Sequence, residues 1–168
     1  ADPGPTDFEA AEGSLGMPTP PVPEYVAGDL VYVTRGMMYG DPLWGEFRRV
    51  VSMADGRTTF DRPLRRTYPQ ARLAVGRPVV DVTIRDLTIA QPEHGGVYKL
   101  LIRRAVRLTI RNVRVGRPGD TAAGWGPAET GDLLCENVDS SASPAGFNTS
   151  HDIQIRGGSY ASIVFEEA

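Results

Sequence analysis

Among the acids of the last third of the chain, Asp132, Glu136, Asp139 and Asp152 lie on repeated segments. Two carboxyl groups are the minimum for acid/base cleavage of a glycosidic bond, one to protonate the leaving oxygen and one to assist the attack. Asp132 and Asp152 occupy equivalent places at the start of two repeated segments, so they are expected as neighbours in space. Asp81 holds the same place in an earlier copy, which fits a turn role for that position. Glu136 and Asp139 flank a bend and are expected to face different ways. Arg111, Arg114 and Arg156 accompany them on the same repeats. Guanidinium forks suit the carboxylates or sulfates of an anionic saccharide. The same strip also reads as a solvated ladder in which Glu136 relieves repulsion between Arg111 and Arg156. Trp125, in Gly-Trp-Gly-Pro, offers a flat face that either stacks on a pyranose ring or folds back over the chain's own core.

Other chemistries find no support. His94 and His151 stand too far from other ligands for a metal site, and no HxxxH, CxxC or EF-hand spacing occurs. No cofactor is therefore expected, and calcium has no motif. There is no phosphate loop and no GxSxG elbow. The lone cysteine, Cys135, excludes an internal disulfide and falls in an apolar column, as a small buried hydrophobe would. Asn148-Thr149-Ser150 fits a glycosylation triplet. A net charge of −3 argues against general nucleic-acid binding, and no run of 18 apolar residues suggests a membrane span.

The elements that must position these side chains lie in residues 79–165, where a nine-residue pattern recurs four times. The copies begin at Asp81, Arg107, Asp132 and Asp152, spaced 26, 25 and 20 residues apart. Aligned, they give four apolar columns: Val82, Leu108, Leu133 and Ile153; Ile84, Ile110, Cys135 and Ile155; Leu87, Val113, Val138 and Gly158; and Ile89, Val115, Ser140 and Tyr160. The beat is two within each half and skips between the second and third columns, which demands a bend. The bend carries Asp86, Asn112, Asn137 and Gly157, residue types that tolerate a left-handed backbone. Strand, sharp corner and strand, restacked at this period, predict an all-β right-handed parallel β-helix of about four coils with an Asn ladder at the corner. An antiparallel sandwich with similar short strands is the alternative.

Three regions are expected. Residues 1–24 hold six prolines, five acids and no base, and read as an extended arm, with Phe8, Leu15 and Met17 as its anchors, or as a flexible leader. Residues 25–76 read as a small antiparallel cap, with a hairpin at Asp55-Gly56. Residues 77–168 read as the β-helix coils. Within them, Val97, Leu100 and Ile102 supply a further strand, which residues 161–165 match. The stretch from Gly116 to Gly131 reads as a long projecting loop, and 141–150 as a shorter one. No capping element is evident after residue 165, so the end reads either as part of a longer β-helix or as covered by another subunit.

The repeats VTIRDLTI, LTIRNVRV and IQIRGG resemble the pectate-lyase-like right-handed β-helix superfamily, and the β-rich stretch before them is similar to the one that introduces such helices in bacterial and phage members. The resemblance implies a protein of polysaccharides, extracellular or on a virion. One outcome is a structural or adhesion part of a phage tail or tailspike-type protein, as a homotrimer or in a larger virion assembly. The other is a fragment of a polysaccharide lyase, glycoside hydrolase or epimerase. Neither nucleic acid nor membrane insertion is implied.

Overall fold

The computed structural model describes residues 9–19, 23–35, 37–38, 41–42, 45–69, 71–75, 78–90, 98–116 and 124–166. The chain divides into two compact units, Ala1–Arg77 and Pro78–Ala168.

In the first unit, β1 (Gly16–Pro18), β2 (Leu30–Thr34), β5 (Gly45–Ala54), β6 (Arg57–Phe60) and β7 (Arg72–Val75) form one antiparallel sheet in the order β1-β6-β5-β2-β7. Two short strands, β3 (Met37–Met38) and β4 (Asp41–Pro42), pair with each other. The β5–β6 hairpin closes where expected: Asp55 and Gly56 take φ of 52° and 69°, the pair of positive values a tight two-residue turn requires. Val31 and Val33 enter the core beside Val50, Phe60 and Leu64, while Tyr32 meets Phe47 across the strand pair, ring centroids 4.8 Å apart. The core face also carries a buried ion pair, Glu46 with Arg48. Each partner is satisfied further. Glu46 Oε1 accepts Tyr68 Oη–H and the Arg65 amide, both at 2.9 Å. Arg48 donates to the Phe47 and Pro63 carbonyls.

The extended-arm expectation is corrected over residues 9–19. Met17 lies in the core of this unit, Ala10 is buried and bridges to Tyr68, and β1 pairs with β6. Proline richness concealed the strand. Pro18 is tolerated because β1 is an edge, where one side of the backbone needs no partner. Leu15 is exposed, and Phe8 lies outside the described residues.

The second unit is built on parallel pairing throughout. Its strands are β8 (Val79–Val80), β9 (Thr83–Ile89), β10 (Tyr98–Val115), β11 (Gly124–Glu136), β12 (Asp139–Ser140), β13 (Ala145–Asn148), β14 (His151–Arg156), β15 (Ser159–Tyr160) and β16 (Ile163–Glu166). They form one nine-stranded sheet wound into coils. The register stacks Ile84, Ile110, Cys135 and Ile155 on one another, and Leu108, Leu133 and Ile153 likewise. Identical positions thus pile up inside a parallel β-helix, and the sandwich alternative is excluded. Leu87 departs from its column. It is 41% exposed whereas Val113 and Val138 are buried, because among the described strands β9 has a paired coil on one side only.

Both expected loops are corrected in part. Residues 124–131 continue as β11, which sets Trp125 beside Leu100 and Pro127 beside Ile102. Residues 145–148 form β13, which pairs with β11 and, on its other side, with β16. Glycine, proline and alanine broke the apolar beat in sequence, yet Trp125, Ala145 and Phe147 are all core residues.

Candidate functional site

Left-handed residues recur from coil to coil in three ladders. The expected corner holds, with φ of 56°, 51°, 52° and 66° at Asp86, Asn112, Asn137 and Gly157. A second ladder comprises Asp81, Arg107, Asp132 and Asp152, at 59°, 56°, 52° and 57°. A third comprises Arg104, Glu129 and Thr149, at 56°, 52° and 47°. The last was not expected, since Arg, Glu and Thr give no local signal for this conformation.

The first corner builds the site. Asn112 Nδ2 donates to Asp86 Oδ1 at 2.9 Å, and Asn137 Nδ2 donates to Asn112 Oδ1 at 3.3 Å. The amide dipoles run one way and end on a carboxylate, so each bond polarises the next. This ladder is one wall of an open cleft of about 480 Å³. Leu87, Thr88, Val113, Arg114 and Asp139 complete its lining. Asp139 is tightly held: Oδ1 accepts Ser141 Oγ at 2.8 Å, Ser159 Oγ at 2.9 Å and the Ser141 amide at 3.2 Å. Its Oδ2 accepts Arg114 Nε at 3.0 Å. These bonds, the Ser141 hydroxyl foremost, bring the Asp139 pKa down to about 2. Asp139 is an anionic acceptor here and does not serve as a proton donor near neutral pH.

Charge is sorted by coil. Strand β10 supplies Arg103, Arg104, Arg107, Arg111 and Arg114, whereas the next coil supplies Glu129, Asp132, Glu136 and Asp139. Glu129, buried, accepts Arg103 at 2.6 Å and Arg104 at 2.8 Å. Arg111 pairs with Glu136, as Arg114 does with Asp139. Arg107 turns to the preceding coil and forks onto Asp81 at 2.5 and 2.8 Å. That fork lowers the Asp81 pKa and raises that of Arg107.

Several sequence candidates change character. Trp125 is 0% exposed, packs edge-on against Phe147 at 6.2 Å and cannot offer a face to a sugar. The platform expectation is corrected: Trp125 lies inside the coil. Asp132 and Asp152 do occupy adjacent rungs, between the pairs Gly131–His151 and Leu133–Ile153. Both are left-handed corner residues, as the turn role requires, and Asp152 Oδ2 lies 3.1 Å from His151 Nδ1. Arg111 and Arg114 are closed onto carboxylates, while Arg156 donates to Gln154 Oε1 at 2.8 Å. Cys135 is buried, and desolvation pushes its thiol up to about 12. In the Asn148 triplet, Ser150 is buried with its hydroxyl accepting Thr130 Oγ1. Sequence reasoning missed Lys99, the only lysine, which is buried and donates to Ser143 Oγ at 2.7 Å beside Gly116. His94 and Val97 lie outside the described residues.

The architecture is that of a parallel β-helix protein with an antiparallel β unit ahead of it in the chain. The fold is similar to that of the tailspike gp61 of Pseudomonas phage phi297, with a TM-score of 0.73 at 15% sequence identity, covering 97% of this chain and 30% of that one. The tailspike gp49 of Pseudomonas phage LKA1 aligns over 88% of this chain and 32% of its own at 15% identity, with a TM-score of 0.45, too low to bear on the fold. This chain thus spans under a third of the length of either tailspike. No protein-family model matches it, and no curated protein does.

Proposed function

We propose that this chain is the β-helical part of a phage tailspike-type adhesion protein that engages bacterial polysaccharide along the corner cleft. The likeness of fold to the phi297 tailspike, which extends over 97% of the chain, carries this reading. The cleft supports it. Amides, a guanidinium and carboxylates are planar groups suited to the paired hydroxyls of a sugar, and half-exposed Leu87 adds an apolar patch. The role proposed is binding: Asp139, held as an anion, is not the general acid that cleavage of a glycosidic bond requires. The protein belongs with the pectate-lyase-like right-handed β-helices, acts at the virion surface outside the cell, and assembles as a homotrimer.

Retention of the purified chain on surface polysaccharides from a panel of bacteria, Pseudomonas strains included, tests the proposal. Retention on one or a few of them, competed by the same polysaccharide in solution, is expected. Light scattering should give three times the 18.2 kDa chain mass. Absence of retention on every polysaccharide would overturn the reading.

A further inference from the structure

We propose that the outward arginines at the two ends of the ladder beside the corner, Arg85 and Arg156, select glycans that carry carboxylate groups. This rests on the polysaccharide reading above. The register sets Arg85 opposite Arg111, Arg111 opposite Glu136, and Glu136 opposite Arg156. Each follows an inward residue of the Ile84, Ile110, Cys135 and Ile155 stack, so all four side chains point outward. With rungs about 4.8 Å apart, the strip runs roughly 14 Å along the helix axis. It borders the cleft, because the next residue on each coil is the corner residue itself.

The charge of this strip is unbalanced. Its one acid, Glu136, is taken by Arg111. Arg156 is bound by a neutral acceptor, Gln154 Oε1, which orients the guanidinium without cancelling it. Arg85 is 68% exposed and meets Asp86 only at 3.7 Å. Arg107 and Arg114 differ, since each is closed onto a carboxylate within 3.0 Å. Two outward guanidiniums, one near each end of the ladder, therefore keep planar donor edges for an incoming anion. A carboxylate matches such an edge two bonds to two. Thr83 and Thr109 stand two residues before Arg85 and Arg111, on the same outward face, and offer hydroxyls to the neighbouring sugar ring.

Retention of the full chain on dextran, carboxymethyl-dextran and dextran sulfate, with one backbone in three charge states, tests this directly. The same supports are used for the double variant Arg85→Gln, Arg156→Gln, whose fold is checked by its melting curve. Carboxymethyl-dextran should retain the wild-type chain about tenfold more strongly than dextran, the worth of one charge-assisted hydrogen bond. Added salt and the double substitution should each remove that excess. Equal retention on dextran and carboxymethyl-dextran, or a double variant that behaves as wild type, overturns the proposal. Retention on dextran sulfate alone overturns the choice of carboxylate. Equal retention of a single-stranded oligonucleotide overturns the choice of a glycan. If neutral and acidic bacterial polysaccharides are retained alike in the panel above, the polysaccharide reading stands and this inference falls.

Discussion

Arg114 and Asp139 face each other across adjacent coils, Nε to Oδ2 at 3.0 Å, and two serine hydroxyls close the other oxygen of the same carboxylate. A site on the outer surface of a β-helix is thereby fixed in charge as well as position. Asp139 is an anion from neutral pH down to strongly acidic conditions.

The Asp139 pKa falls from an ordinary 3.8 to about 2 in the folded chain. A carboxylate lowered on folding contributes stability that is fully present above its unfolded value and lost as pH falls through its folded one. Asp139→Asn should therefore be less stable than wild type at neutral pH. The gap should shrink between 3.8 and about 2 and vanish below that. Denaturant midpoints of both proteins at neutral pH and across that window check this. A gap independent of pH would mean that Asp139 is not held as an anion.

Trp125 is enclosed with Phe147 and Ala145 inside the coil. Trp125→Ala should cost about 3–5 kcal/mol, the usual penalty for an aromatic side chain removed from a core. Equilibrium unfolding measures it. A variant as stable as wild type would place the indole outside the core.

In the first unit, Glu46 and Arg48 are buried together, and Glu46 Oε1 accepts two further hydrogen bonds. Burial lowers the Arg48 pKa and raises that of Tyr68, whose hydroxyl donates to Glu46. Arg48→Met alone should cost about 3–5 kcal/mol, because it strands the Glu46 carboxylate in an apolar setting. Adding Glu46→Leu should recover part of that loss, so the two effects are not additive. Unfolding of the four proteins of this cycle gives the coupling. Strict additivity would mean that the two groups do not interact.

Much of the second unit was legible in the chain. The columns Ile84–Ile110–Cys135–Ile155 and Leu108–Leu133–Ile153 were visible as a beat of two, and the corner was visible because Asp, Asn and Gly are the residues that accept a left-handed backbone. The Asp55-Gly56 hairpin was legible for the same reason. The part of the coil that carries Trp125, Ala145 and Phe147 was not. Their neighbours are glycine, proline and alanine, and the spacing alters between copies, so only inter-coil pairing reveals that Leu100, Trp125, Ala145 and Ile163 share one column. The same pairing turned Trp125 from a binding candidate into core.

The sequence alone determined the stacking of coils, because burial of alternate aliphatic residues is a local periodic demand that every copy repeats. It also determined the corner at Asp86, Asn112, Asn137 and Gly157, because a left-handed backbone favours those residue types. Only the tertiary structure decided which arginine meets which acid. Arg107 forks back to Asp81 while Arg111 and Arg114 reach forward to Glu136 and Asp139. That choice depends on the register of neighbouring coils some 25 residues apart and on the way each corner aims its side chain, and neither is carried by any short stretch of the chain.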